Sequence, residues 1–372
     1  MIITRYHNME RLRLTVEFLT PTFLGGADQH AELRAAPFKN LLRQWWRVAV
    51  GRQRADHASL LKAEGELFGS VLDDNQASAS NVRLEIVPTD STGRMTTAHF
   101  VPASNVRLEI VPTDGFGIKQ DALDLHKTFH PEVGDHGMRV ENALYLGFGP
   151  ITLVRGQTQI KKYIAPNSKA KLALSFPKSE RDTMINILQL IDTLGAIGSR
   201  CRNGWGSLAL SGEGFTRQDV RVFDTMPVAN LIGGKAYPSA LGADDRGPLC
   251  WESNPQDDWK KAMALLAETY LTLRTEINIK PQGLQQRHIL GYPVTNHNME
   301  NWGGRNGRMP SQLRLLVKRN QANRLIARIL HLPHKLSKPW QTHLGTELSV
   351  WQKEVHERLD RNSAFHRCGR IK

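Results

Sequence analysis

The chain has 372 residues, and its 49 Lys and Arg against 36 Asp and Glu give a formal net charge of +13. This length allows two domains, since one hydrophobic core seldom grows beyond about 250 to 300 residues, and the charge favours a polyanionic partner such as nucleic acid. Three widely spaced cysteines argue against disulfides and a thiolate zinc site, and no apolar run reaches the length of a membrane span, so we expect a soluble cytoplasmic protein.

The first predicted element is a strand over residues 11–19, in which apolar and polar side chains alternate. A glycine-containing loop follows, and apolar residues then recur at helical spacing over residues 37–50, with Pro37 in the first turn. This second segment predicts an amphipathic helix that buries Trp45. The chain therefore opens as a strand, a glycine loop and a helix.

Cations form a stripe on this predicted helix. Lys39, Arg43 and Arg47 are spaced at i, i+4 and i+8, and Arg34 precedes the helix. Guanidinium groups bind phosphate oxygens through paired hydrogen bonds, and the amides at a helix start add further donors. The stripe therefore predicts a phosphate contact. The alternative is an ordinary solvated helix face with Trp46 packed below it.

A short segment occurs twice in the sequence. Residues 79–90 recur without change as residues 103–114. Two copies are too few for a solenoid, so a local duplication that inserts an extra strand or loop is the more economical interpretation. The next stretch, residues 115–137, is rich in His, Asp and Gly, and predicts a long, partly mobile loop.

Histidines in that predicted loop resemble a metal site only superficially. His126 and His130 are four residues apart, and Asp135 and His136 follow, but no Glu completes an H-E-x-x-H motif. We therefore expect no metal and no cofactor.

A second strand and helix follow. Residues 171–176 predict a strand, and an amphipathic helix extends from an N-cap at Ser179 to a stop at Gly195. A glycine-rich loop then leads to a closing strand over residues 207–210. The first half of the chain thus has the β-α-β…β-α-β order of a ferredoxin-like fold.

The glycine-rich loop carries the strongest functional signal. Its glycines would let the backbone approach a nucleic acid, and Arg200 and Arg202 would neutralise phosphates. Trp205 would either stack on a base or plug the core, and the sequence leaves both open. Neither a Walker loop nor a dinucleotide fingerprint occurs, which disfavours nucleotide hydrolysis.

Beyond this loop, residues 215–256 lose periodicity and gather Gly, Pro and Asp, which indicates a linker. We place the domain boundary near Gly214, giving domains over residues 1–214 and 215–372. The second domain is predicted as a degenerate α+β module with a helix over residues 259–275, paired strands over 313–317 and 325–330, and a helix over 340–359.

Six motifs carry a family resemblance. They lie at residues 20–28 (TPTFLGGAD), 32–34 (ELR), 37–47 (PFKNLLRQWWR), 67–70 (LFGS), 145–150 (YLGFGP) and 195–208. As a set they resemble the first-subunit family of the Cmr module, RAMP-superfamily proteins of type III-B CRISPR effector complexes. The motifs lie within the first 208 residues, and the rest of the chain matches only loosely.

The resemblance implies an α+β fold with two ferredoxin-like (RRM-type) domains, antiparallel sheets and a glycine-rich RAMP loop. It implies an RNA-binding structural subunit, used in antiviral defence, that contacts guide and target RNA near the guide 3′ end beside other RAMP subunits. The RNA-contact candidates carried over by motif are Arg34, Lys39, Arg43, Arg47, Arg200, Arg202, Asn203 and Trp205. The duplicated segment departs from the family pattern and leaves the strand order around residues 80–114 open.

Two other functions compete with this interpretation. Related RAMP backbone subunits carry an RNA-cleaving aspartate where Asp28 lies, so the chain would be an endoribonuclease that uses Asp28 with a metal or His57 as general base. A lone carboxylate among glycines more often caps a turn, and we therefore expect no catalytic residue. A protein-interaction module with a basic surface for acidic partners is the third possibility.

Overall fold

A computed structural model describes residues 8–25, 30–69, 106–277, 286–292, 300, 306–336, 340–341 and 344–369. The strands are β1 Met9–Phe18, β2 Arg107–Pro112, β3 Ile118–Lys119, β4 Lys127–His130, β5 Met138–Glu141, β6 Ile151–Val154, β7 Gln157–Ile160, β8 Tyr163–Ile164, β9 Lys169–Pro177, β10 Leu208–Ser211, β11 Thr225–Pro227, β12 Leu241–Asp244, β13 Gly247–Pro248, β14 Cys250–Ser253, β15 Leu313–Arg319, β16 Leu325–His331 and β17 Phe365–Arg367. The α-helices are α1 Ala35–Val50, α2 His57–Phe68, α3 Asn142–Gly147, α4 Arg181–Leu194, α5 Val228–Gly233, α6 Trp259–Glu276, α7 Leu344–Ser349 and α8 Glu357–Arg361. Short 3₁₀ turns span Gly51–Gln53, Lys178–Glu180, Val220–Val222 and Gln286–Leu290, and a π-helical turn spans Val350–His356.

The chain divides into two compact units. Unit 1 consists of Met1–Gln120, Lys161–Ser199 and Gly206–Gln218, and unit 2 of Asp121–Ile160, Arg200–Trp205 and Asp219–Lys372. The division into domains over residues 1–214 and 215–372 stays a prediction.

The main sheet of unit 1 has four antiparallel strands in the order β10-β1-β9-β2. Numbered along the chain these are strands 4-1-3-2, with α1 and α2 between the first two strands and α4 between the last two. This is the ferredoxin-like arrangement that the order of predicted elements indicated.

Alternation along β1 explains which face of this sheet is covered. Leu14, Val16 and Phe18 are buried, whereas Arg11 and Arg13, on the alternate positions before them, are exposed. Phe18 meets Phe38 of α1 edge to face, with ring centroids 6.4 Å apart. The apolar side of the sheet therefore lies under the helices.

The predicted apolar stripe of α1 is confirmed. Trp45 is 1% exposed, and Phe38, Leu41 and Leu42 are buried with it. Burial of large apolar side chains at helical spacing is the main stabilisation of such a helix, because propensity alone is weak.

The second copy of the duplicated segment forms β2. It pairs with β9 in the register Leu108↔Leu174 and Ile110↔Leu172, and it lies at one edge of the sheet. This copy therefore supplies the second strand of the ferredoxin-like order instead of an extra strand. The first copy, residues 79–90, lies outside the described residues.

Unit 2 contains a second four-stranded antiparallel sheet in the order β15-β16-β14-β17. Numbered along the chain, these strands again follow the order 4-1-3-2, with α6 after the first strand and the α7–α8 segment after the third. The α+β fold class with ferredoxin-like topology in both halves is confirmed. The predicted pairing of two strands around residues 320–323 is also confirmed.

Several local predictions were wrong. The predicted loop over residues 115–137 contains β3 and β4, and the predicted linker over 215–256 contains strands and α5. Helix α4 begins at Arg181 after a 3₁₀ turn, so Ser179 is not its N-cap. The last predicted helix is interrupted by the π-helical turn. Within the described part of the chain, no helix has the length and apolarity needed to cross a membrane.

Candidate nucleic-acid interface

Close backbone approaches shape the glycine-rich loop, residues 195–206. Gly198 has a φ of +93°, and a Cβ there would lie 2.7 Å from the carbonyl oxygen of Phe23. Gly206 has a φ of +67°, and a Cβ there would overlap the carbonyl oxygen of Ile197. Both positions combine a left-handed backbone with a close contact, so only glycine fits them without strain.

A tight turn presents the two arginines of this loop. The Asn203 backbone N–H donates to the carbonyl oxygen of Arg200 over 2.8 Å, which closes the turn. Arg200 itself has a φ of +58°, a conformation that costs a non-glycine residue about 1 to 2 kcal/mol. The side chains of Arg200 and Arg202 are both exposed. Strained backbone of this kind concentrates at functional sites.

Residues 200–205 are fixed to the sheet of unit 2. The Leu315 N–H donates to the carbonyl oxygen of Arg202 over 2.8 Å, and Asn203 forms a parallel bridge with Leu315. The Asn203 side-chain amide donates to the carbonyl oxygen of Leu146 over 3.0 Å. The amide of Asn203, a predicted RNA contact, thus anchors the turn to α3.

Two further basic groups lie beside Arg202. Burial, together with the charge of Arg202, lowers the pKa of Arg314 to about 10. Burial also lowers the pKa of His334, and both arginines add to that effect. Like charges gathered in this way favour an anion as the ligand. We call Arg200, Arg202 and Arg314 the loop arginine cluster.

Sequence reasoning missed Arg314. The available signal was a cation at the second position of an otherwise apolar strand, Leu313-Arg-Leu-Leu-Val317. Nothing in the sequence alone shows that the glycine-rich loop pairs with this strand.

Trp205 is a packed core residue. Its exposed fraction is 0%, and a Cβ at Gly147 would lie 3.3 Å from its Nε1 atom. A fully buried indole has no face available to a base, so the core alternative accounts for Trp205. Base stacking by this ring would require the loop to open. Trp205 is therefore not among the residues that this structure presents to RNA.

The basic stripe of α1 is partly neutralised within unit 1. Arg43 Nε lies 2.8 Å from a carboxylate oxygen of Glu64, and an Arg47 terminal nitrogen lies 2.7 Å from the same oxygen. The Glu64 side chain is only 3% exposed. Arg43 also donates to the carbonyl oxygen of Gly69 over 2.5 Å, just beyond the end of α2. These two arginines therefore hold α2 against α1, a role the spacing did not indicate.

Lys39 and Arg34, the other two predicted cations, have different environments. Burial and the charge of Arg43 lower the pKa of Lys39 to about 8. Arg34 donates to the carbonyl oxygen of Gly25 over 2.5 Å. Arg34 at the N-cap of α1, and Arg43 and Arg47 on the helix, thus contact polar groups within unit 1.

The structure describes only one of the two residues that the nuclease alternative would use. Asp28 lies outside the described residues, and His57 is exposed at the first position of α2.

His130 packs edge to face on Tyr145 at 6.0 Å, and burial lowers its pKa. Across the described ranges, no three His, Cys, Asp or Glu side chains gather as a metal site.

Comparison with known proteins gives a family match. The family model of the RAMP superfamily matches residues 15–209. No curated protein sequence matches the chain. Among solved structures, the chain is similar to apo Cmr1 from Pyrococcus furiosus, with 18% identity and a TM-score of 0.46 over 90% of this chain and 92% of that one.

Two other solved structures are similar. A chain of a type III-B Cmr-beta complex bound to cognate target RNA has 13% identity and a TM-score of 0.44, over 93% of this chain and 100% of that one. Cmr6 from Pyrococcus furiosus has 9% identity and a TM-score of 0.28, over 56% of this chain and 100% of that one.

Proposed function

The chain belongs to the RAMP superfamily, and from that premise we propose that it is an RNA-binding structural subunit of a type III-B CRISPR effector complex. In this proposal it takes the place of the first Cmr subunit, near the guide 3′ end. Its partners are guide RNA, target RNA and other RAMP subunits, in the cytoplasm. The six motifs of the first 208 residues support the assignment to this subunit.

The loop arginine cluster is the observation that carries the proposal. Arg200 and Arg202 project from a turn that is fixed by glycines and by pairing with Leu315. Cations held in place lose little conformational entropy when they bind phosphate, and a net charge of +13 strengthens the long-range attraction. Phosphate contacts of this kind give affinity without base preference.

We further propose that the chain does not cleave RNA itself. The alternative is an endoribonuclease that acts through Asp28 with a metal or through His57. Incubation of the purified protein with labelled guide and target RNA separates the two functions, and we expect binding with intact RNA. Cleavage that disappears in Asp28→Ala or His57→Ala would overturn this part of the proposal.

The loop assignment makes a quantitative prediction. Replacement of Arg200 and Arg202 together by Ala removes two phosphate contacts. The slope of log affinity against log salt concentration should therefore fall by about 1.4. The melting temperature should stay unchanged because both side chains are exposed. Fluorescence anisotropy with single-stranded RNA at several salt concentrations measures the slope.

Lys260→Ala with Arg324→Ala is the matched control, since it removes two exposed cations elsewhere in unit 2. We expect this control to keep a slope close to that of the wild-type protein. A loop variant with the wild-type slope would remove the loop arginine cluster from the RNA site.

A further inference from the structure

One face of the unit 1 sheet is not covered by its helices. The side chains of Leu14, Val16 and Phe18 point to the helix side and are buried. On the opposite side of β1 and β9, the side chains of Arg13 and Lys171 are exposed. We call this second side the open face.

The register of the strands places cations beside two small residues of β9, Ser175 and Ala173. Across the sheet, Arg11 of β1 and Arg107 of β2 both pair with Ser175 of the intervening strand β9. One step further along, Ala173 lies between Arg13 of β1 and Glu109 of β2. Small side chains on the central strand leave room for a ligand backbone between the two flanking rows.

The next two rows extend this pattern. Lys171 pairs with Thr15, and Lys169 pairs with Glu17. Both lysines are exposed and lie on β9 itself. The two small residues of β9 are therefore followed by two further cations on the same strand.

The open face keeps a positive charge after its internal pairing. Its described positions carry five cations and two carboxylates: Arg11, Arg13, Arg107, Lys169 and Lys171, with Glu17 and Glu109. Arg11 and Glu109 form one ion pair at 3.3 Å, with side chains 54% and 36% exposed. Exposed pairs of this kind are weak and are readily exchanged for a stronger anionic partner.

We propose that the open face is a second binding surface for the sugar–phosphate backbone of single-stranded RNA. The described residues of this face include no aromatic side chain on which a base would stack, so its contacts are to phosphates and carry no sequence preference. The inference rests on the proposed function, since it takes the same ligand. It adds a surface that shares no residue with α1 or the glycine-rich loop.

The test uses the full-length protein and a fluorescently labelled oligouridylate. Arg13→Ser with Lys171→Ser removes two cations of the open face. We expect the slope of log affinity against log salt to fall by about 1.4, from two lost single-strand phosphate contacts. Lys62→Ser with Lys119→Ser is the matched control in the same unit, because both lysines are exposed outside the four-stranded sheet. The control should keep the wild-type slope.

Parallel measurement of the Arg200→Ala, Arg202→Ala variant separates the two claims. A reduced slope in the loop variant, with the open-face variant equal to its control, would overturn this inference and leave the proposed function standing. Absence of RNA binding by the wild-type protein would overturn the proposed function.

An acidic protein segment is the other class of partner for this face. Polyglutamate therefore serves as a competitor at matched charge concentration. If it displaces the oligouridylate from the Arg200→Ala, Arg202→Ala variant as well as unlabelled RNA does, the open face is a site for acidic protein and the inference is wrong. Selective displacement by RNA supports it.

Discussion

Gly206 fixes the glycine-rich loop through two backbone hydrogen bonds, at a position with no room for a side chain. Its amide donates to the carbonyl oxygen of Pro21 over 3.1 Å, and its own carbonyl accepts from the Ile197 amide over 2.8 Å. The position combines a left-handed backbone with a steric limit, and these two effects can be measured separately.

Gly206→Ala should destabilise the protein by about 3 to 4 kcal/mol, from backbone strain plus overlap with the carbonyl of Ile197. Gly214→Ala is the matched control: its φ is +69°, and no heavy atom lies within 4 Å of a Cβ there. The control should lose only the left-handed penalty of about 1 kcal/mol. Urea unfolding gives both free energies, and equal losses would show that the close contact is relieved at no cost.

The sequence predicted which secondary-structure element carries each charged residue better than it predicted which side chain that residue contacts. The spacing of Lys39, Arg43 and Arg47 correctly placed them on one helix, but the contacts of Arg43 and Arg47 with Glu64 depend on how α2 packs against α1. The sequence left two environments open for Trp205, and only the packing around Gly147 decides between them. Partner choice is tertiary information, and local patterns do not contain it.

At the scale of elements, the C-terminal helical segment departs most from its pattern. Apolar periodicity predicted one helix, whereas the π-helical turn Val350–His356 interrupts it. This turn places Trp351 in a stack on His331, with ring centroids 3.8 Å apart. His356 Nε2 lies 2.9 Å from His331 Nδ1. A π turn adds one residue to a single helical turn. A search for apolar residues every 3.6 positions over a longer stretch does not detect so local a change.

The paired histidines predict a loss of stability in acid. Burial lowers the pKa of His356 to about 3 and holds that of His331 well below its usual range. In the unfolded chain both titrate near pH 6.5. As the pH falls below that value, the unfolded state binds protons that the folded state does not. Each histidine should therefore cost roughly 1.4 kcal/mol of unfolding free energy per pH unit, beginning near pH 6.

Chemical denaturation at pH 7 and pH 5 measures this dependence. His356→Gln should reduce the difference between the two values, while His57→Asn, a change at an exposed histidine, should not. An unchanged difference in His356→Gln would mean that other groups cause the acid sensitivity.

At the scale of the whole molecule, the sequence predicted the first βαββαβ order more completely than the second. Strand β1 is ten residues long and alternates clearly, so its identity is a local property. Strands β14 and β17 have four and three residues, too few for a period to appear. They are strands because they pair with each other across more than a hundred residues of chain. Such pairing is fixed by the tertiary fold.

The duplication allows a test at this scale. Deletion of residues 79–102 leaves one copy of the repeated segment, and that copy retains the residues of β2. Because loop closure depends only weakly on length, the unfolding free energy should stay within about 1 kcal/mol of the wild-type value. Leu108→Asp in the shortened chain is the control and should unfold unit 1, since Leu108 is 2% exposed. Loss of folding on deletion alone would mean that both copies are required.

Strand β15 has a further consequence, which concerns self-association. It is an edge strand of seven residues, most of them buried and apolar, and such an edge is a template for strands of other molecules. Arg202 and Asn203 occupy the middle of this edge through Leu315, and the turn adds two positive charges there. The turn that we propose for RNA therefore also occupies part of the edge at which a strand of another molecule would pair.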